Sequence, residues 1–179
     1  MHLFHFSDDS DIDRFDPRPV RTPAPRRPGM DWLNGPLVWA IAEDHQQLYL
    51  FPRECPRIVM WAHAGTSASD RQAWLGDAAP GTSAIAYIEA RWMERLAQAA
   101  LTRYELPSEH FVDIDDAGMW VSRDAVVPRD VVRLSDLRAA LAACRTELRA
   151  VDSLVPLKPV WQSSMHASGI RLRNAADWA

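Results

Sequence analysis

The sequence predicts a mixed α+β domain, with a largely antiparallel sheet and flanking helices, spanning residues 1–179 as one globular unit. Three observations carry that expectation. Short runs rich in aromatic and β-branched residues recur along the chain, among them Leu3 to Ser7, Pro36 to Ala42, Ile58 to Ala62 and Met119 to Arg123. One amphipathic stripe, Leu134, Leu137, Leu141, Cys144 and Leu148, recurs at spacings of three and four and marks a helix behind the cap Ser135-Asp136. The two kinds of segment are intermixed without the regular alternation of a doubly wound sheet.

Composition narrows the class of function. At 179 residues, 47% hydrophobic and 25% charged, the chain is an ordinary globular one. A chain of this size buries roughly 70% of its unfolded surface and needs neither disulfide nor metal to fold. Its net charge of -4 argues against a non-specific nucleic-acid binder. Cys55 and Cys144 match no ligand or redox spacing and are expected as buried thiols in a reducing, cytoplasmic setting. No apolar run of about 18 residues offers a membrane span. Acidic residues stand near the start where a secretion signal would be basic and then apolar. The eight Trp are spread along the chain and are expected to build core rather than one stacking platform.

The elements follow in order. In Leu3 to Ser7, alternation puts Phe4 and Phe6 on one side and Leu3, His5 and Ser7 on the other. An Asp-rich turn comes next, with Ile12 and Phe15 as its apolar anchors. Residues 17–29 interleave five Pro with Arg18, Arg21, Arg26 and Arg27, so an extended loop is expected there, and its Arg form a cationic arm. That arm either approaches a phosphate-bearing ligand or pairs with the preceding Asp run. Pro36 to Ala42 reads as a strand buried on both faces, and Glu43 to Phe51 as a helix stopped by Pro52.

The second half continues in the same manner. Strands are expected at Arg57 to His63, Ser83 to Ile88, Leu101 to Leu106, Phe111 to Ile114 and Met119 to Arg123, with Val126 to Leu134 prolonging the sheet. Helices are expected at Ser69 to Leu75 and Glu89 to Ala99. Asp115-Asp116-Ala117-Gly118 is a turn. After the stripe come a short strand at Leu148 to Val151, a last helix through Trp161 and Met165 ended by Gly169, and an edge strand at Ile170 to Arg173.

Most catalytic constellations fail. There is no Gly-rich phosphate loop, no H-E-x-x-H, no G-x-S-x-G elbow and no expected metal site. His5 among aromatics is either a core histidine bonded to a backbone carbonyl or a neutral imidazole offered to a sugar hydroxyl. Arg53 and Arg57, bracketing Cys55-Pro56, either pair with an acid such as Glu54 or grip a phosphate.

Leu3-Phe4-His5-Phe6-Ser7, with the Asp-rich turn and Ile12-Asp13-Arg14-Phe15 behind it, resembles the opening of ADP-ribosyltransferase-like domains. The resemblance implies that NAD is the substrate, that His5 of the His-x-Ser element ending at Ser7 binds a ribose hydroxyl, and that Trp39 and Tyr49 support the nicotinamide. It places the third motif at Met119-Trp120-Val121-Ser122-Arg123, so that Trp120 and Arg123 join the site. Met119 stands where many members place a catalytic Glu, which leaves Glu105 and Asp116 as candidate acids. Over nearly its full length the chain more closely resembles an uncharacterised family of small bacterial proteins. They share the His-Phe-Ser opening, the Val-Trp-Ala-Ile strand and the Phe-Pro-Arg-x-Cys-Pro-Arg segment. A small nucleotide-like ligand is the expected partner, in a cleft around His5, Trp39 and Trp120 with Arg53 and Arg57 on the pyrophosphate. The alternative is a binding module without catalysis.

Overall fold

The structure, a computed structural model, describes residues 1–21, 23 and 25–178. Among them the strands and α-helices run β1 (Leu3–Ser7), β2 (Val38–Ala42), β3 (Arg57–Trp61), α1 (Ala68–Leu75), β4 (Ala84–Glu89), α2 (Met93–Gln98) and β5 (Leu101–Leu106). They continue with β6 (Val112–Asp113), β7 (Met119–Ser122), β8 (Asp130–Leu134), α3 (Leu137–Ala143), β9 (Thr146–Val151) and β10 (His166–Ile170). The α+β class is as composition predicts. The strands, however, divide between two sheets, ordered β6-β7-β2-β1-β5-β8 and β10-β3-β4-β9, where strand composition alone suggests one. Alternation marks a strand but does not say with which strand it pairs.

The chain forms two compact units. The first, Met1–Gln46 with Leu101–Arg133, holds nearly all of the six-stranded sheet. β1 is one of its two central strands, antiparallel to β5 over all five of its residues and to β2 at Leu3 and Phe4. One face carries Leu3, Val38, Ala40, Tyr104 and Leu106, closed by Phe15, Phe111 and Val126. The other carries Val121 with Leu33, Leu37 and Ile114, and Trp39 and Met119 pack against them. Tyr104 is fully buried, and its hydroxyl donates to the Asp9 carbonyl at 2.8 Å while accepting from the Ile12 amide at 3.2 Å. Its ring meets Phe15 edge-on at 5.2 Å, so one side chain ties the Asp-rich turn to the sheet.

The second unit, Gln47–Ala100 with Leu134–Ala179, is built on β3 and β4. Both are almost wholly buried, as continuous apolar runs require. β4 pairs β9 in parallel, and α3 lies against β9. Several expected boundaries shift. α3 is capped by Asp136, whose carboxylate accepts from the Ala139 amide at 2.9 Å, but it stops at Ala143 because Arg145 turns left-handed at φ 52°. Leu148, the last residue of the helical stripe, therefore stands in β9 opposite Ala86. The helix expected through Met165 is a 3-10 segment, Val155–Gln162, with Pro159 inside it, and residues 166–170 form β10 against β3. Glu43–Tyr49 is likewise 3-10 rather than α-helical.

Removing the Tyr104 hydroxyl strips two part-buried hydrogen bonds from the Asp9–Ile12 turn. Tyr104→Phe is expected to lower unfolding free energy by about 0.5–1.5 kcal/mol in urea titration, the net range for a hydrogen bond whose freed partners can reach water; an unchanged midpoint would show that the turn finds other partners.

Candidate functional site

Residues facing one another across an antiparallel pair share a face of the sheet. Ala40 stands opposite Trp120 and Trp39 opposite Val121, so the two Trp point to opposite sides. His5 stands opposite Tyr104, which puts it on the side of Trp120. The structure thus brings His5, Ser7 and Trp120 to one face and Trp39 to the other.

His5 has a defined local task. β1 and β2 pair at Leu3 and Phe4, and His5 Nδ1 then donates to the Trp39 carbonyl at 2.9 Å. The imidazole takes up a backbone acceptor of β2 beyond the paired positions, with its ring 4.7 Å from that of Phe15. Ser7 is buried, and its hydroxyl accepts from the Asp9 amide at 3.1 Å. Trp120 packs against the cluster of Leu3, Val38 and Tyr104.

The opposite face carries the candidate site. A cavity of about 130 Å³ is lined by Pro25, Arg26, Arg27, Met30, Leu33, Ile114 and Asp116. Its apolar wall belongs to the cluster that holds Trp39, Trp32 and Met119. The Arg26 guanidinium lies over the Trp39 ring at 5.6 Å, and that of Arg123 over the Trp32 ring at 5.0 Å. Arg26 Nε donates to Asn34 Oδ1 at 3.3 Å, and Arg27 Nη2 reaches the Asp115 carbonyl at 3.5 Å. The Trp39 Nε1 is sealed from solvent and has no hydrogen-bond partner among the described residues. Asp116 arrives on a turn with three left-handed residues, Asp115, Ala117 and Gly118 at φ 52°, 48° and 73°. At Gly118 a Cβ would stand 2.7 Å from His45 Nδ1, so only glycine fits. Asp115 and Ala117 hold a conformation that costs about 1–2 kcal/mol per residue in an L-amino acid. The other candidate acid, Glu105, accepts from His2 Nδ1 at 2.8 Å.

Tyr49, Arg53 and Arg57 belong to the second unit. Arg57 is buried, donating through Nε to the Leu48 carbonyl at 2.8 Å and through Nη1 to the Cys55 carbonyl at 3.0 Å. Its guanidinium lies 5.9 Å from the Tyr49 ring centre and 5.0 Å from that of Phe51. Burial pulls its pKa down to about 10. Glu54 instead pairs with Arg171 and Arg173, and its carboxyl lies below the usual range, chiefly through the hydrogen bond from Asn174.

The Pro/Arg composition of 17–29 signals a cationic arm, and Arg26 and Arg27 bring it to the cavity. Trp32, Met30, Leu33 and Ile114 carry no such signal, because a wall of apolar residues looks like core until its cavity is seen. No group of three or more His, Cys, Asp or Glu among the described residues is arranged to hold a metal ion, and no helix there is long and apolar enough to cross a membrane.

In comparison with known proteins, the model of a family described as a family of unknown function (DUF6886) covers residues 4–175. No curated protein and no solved structure matches.

Cys55 is sealed within the second unit, and burial pushes its thiol up to about 12. A thiol whose unfolded value lies at 9.0 and whose folded value is raised adds stability below pH 9.0 and loses it as pH climbs toward 12. At pH 8 an alkylating reagent is expected to spare Cys55 in the folded protein and label it in urea, read by mass spectrometry. Cys55→Ala is expected to unfold less steeply with pH above 9 than the wild type. Rapid native labelling of Cys55 would contradict both expectations.

Proposed function

Because the chain belongs to a family of unknown function, DUF6886, whose membership brings no activity with it, we propose a function from the geometry of the first unit: it binds a nucleotide-like ligand, a planar ring joined to sugar and phosphate. The observation that supports this reading is the 130 Å³ cavity with two guanidinium groups and one carboxylate on an otherwise apolar wall. Planar guanidinium forks suit phosphate oxygens. Asp116 is an acceptor for a sugar hydroxyl, and Met30, Leu33 and Ile114 offer a dry surface to a ring. The sealed Trp39 Nε1 is a donor without an acceptor, and an unpaired buried donor costs about 1–3 kcal/mol. Trp39 lies behind the lining rather than in it, and its part is to seat the Arg26 guanidinium, which lies over its ring at 5.6 Å.

Size sets a limit on the ligand's placement. Cavities that enclose a whole drug-sized ligand measure roughly 300–1,000 Å³, so this one seats a single moiety and leaves the rest in solvent. NAD meets the chemistry, and its turnover would make the chain an ADP-ribosyltransferase-like transferase with Asp116 as the carboxylate. A binding module without turnover is the second reading. Met119, which packs in the apolar cluster with Trp39 at the position where an acid is expected, favours it. In either case His5 acts at a distance from the ligand, as a positioning residue that holds the backbone of Trp39.

Calorimetric titration of NAD into wild type, Asp116→Asn and Trp39→Phe tests the reading, with nicotinamide release assayed in the wild-type mixture. Binding is expected in the wild type, with affinity falling about tenfold in Asp116→Asn, the loss of one charge-assisted hydrogen bond. Equal affinity in all three proteins, or no heat at all, would overturn it. Release of nicotinamide would select the transferase over the module.

A further inference from the structure

A second cationic group lies in the other unit and shares no residue with the cavity. Arg57 opens β3, and its register opposite Ile170 of β10 brings Arg171 next to it in the chain order of the neighbouring strand. Arg171, left-handed at φ 57°, donates through Nε to the Arg53 carbonyl at 3.3 Å. Arg57 takes the Cys55 carbonyl of the same loop. Two guanidinium groups therefore grip alternate carbonyls of a loop bounded by Pro52 and Pro56. Arg53 and Arg173 also act on the Glu54 carboxylate.

Arg57 is 3% exposed. A guanidinium buried to that degree is ordinarily compensated by a carboxylate, yet Arg57 forms no ion pair among the described residues. Two carbonyls and two aromatic faces hold it in place and supply partial charges only. Glu54 is committed elsewhere, to Arg171 at 3.7 Å, Arg173 at 3.4 Å and Asn174 Nδ2 at 3.0 Å. Arg57 Nη2 donates to no described group. It is also absent from the side-chain nitrogens that are sealed without a partner, which among the described residues are Nε1 of Trp39 and of Trp92. With Nε and Nη1 committed to carbonyls, Nη2 is the nitrogen of the fork left for a further acceptor.

We propose that this cluster is an oxyanion site, in which Arg57 Nη2 and the Arg171 guanidinium receive a phosphate group. The buried carbonyl contacts fix the direction of the Arg57 fork before any ligand arrives. Arg171, whose side chain is 38% exposed, supplies the second fork from the rim. Two planar forks select a tetrahedral oxyanion with several acceptor oxygens over a spherical halide.

The probe is inorganic phosphate, titrated into the full chain at constant ionic strength with sodium chloride as the comparison, and followed by thermal unfolding and calorimetry. Phosphate is expected to raise Tm in a saturable way, because it binds the folded state, and chloride is not. Arg171→Asn keeps a residue that tolerates the left-handed backbone and removes the fork. It is expected to raise the Kd for phosphate at least about tenfold, the effect of one charge-assisted contact. Arg57→Lys keeps the charge without the fork and should act in the same direction. Should that variant fail to fold, Arg171→Asn decides alone. Equal phosphate affinity in wild type and Arg171→Asn, or a Tm response to chloride equal to that for phosphate, would overturn the site. Loss of phosphate binding in Arg26→Gln with its retention in Arg171→Asn would overturn it as well, and would assign phosphate to the cavity of the first unit.

Discussion

A strand whose two faces are both covered has no idle side, and that constraint shapes everything in the first unit. β1 is paired on both edges, and clusters of buried residues close both surfaces of its sheet. Every side chain along β1, β2 and β7 is thereby assigned to one of two interiors by a period of two. Aromatic and imidazole groups near one another in the strand order can still lie on opposite sides, as Trp39 and Trp120 do. A functional surface can arise only where the covering layer leaves room. In this unit room appears under the Pro/Arg segment, where prolines prevent a regular element from sealing the sheet.

That constraint also explains which parts of the fold are legible in sequence. Strand positions are, since Ile58-Val59-Met60 or Ala84 to Ile88 can be little else. The start of α3 is as well, because Asp136 is a cap with a visible mechanism. Its end is not, because Leu148 continues the helical stripe by chance of spacing while facing a strand partner. Nothing in residues 146–151 announces parallel pairing with β4. β10 is hidden behind a proline-rich turn that reads as helix by its apolar spacing. In each case pairing decides, and pairing depends on residues far away in sequence.

The candidate site divides along the same line. The chemistry-bearing types, Arg in the loop, Trp39 in the strand and Asp116 in the turn, can be named from sequence because each is unusual in its setting. Their grouping cannot. His5 looks like a ligand contact for the same reason it serves as structure: an imidazole among aromatics needs a partner, and the Trp39 carbonyl supplies one. Arg57 shows the reverse case. Its neighbour Glu54 suggests an ion pair, but Glu54 turns to Arg171 and Arg173, and burial leaves Arg57 with carbonyls instead.

Net charge then bears on how either cationic group could work. The chain carries -4 overall, so its long-range field offers an anionic ligand no attraction. At physiological salt that field fades over about 8 Å, and what a phosphate meets inside that distance is local. At Arg26 and Arg27 the local groups are guanidinium planes beside a tryptophan and a carboxylate. At Arg57 the local group is a fork immobilised by two carbonyls. Directed short-range donors discriminate by geometry, while diffuse positive charge discriminates by amount. An acidic chain that concentrates its arginines in this way is suited to choosing a particular oxyanion from solution, and poorly suited to collecting polyanions in general.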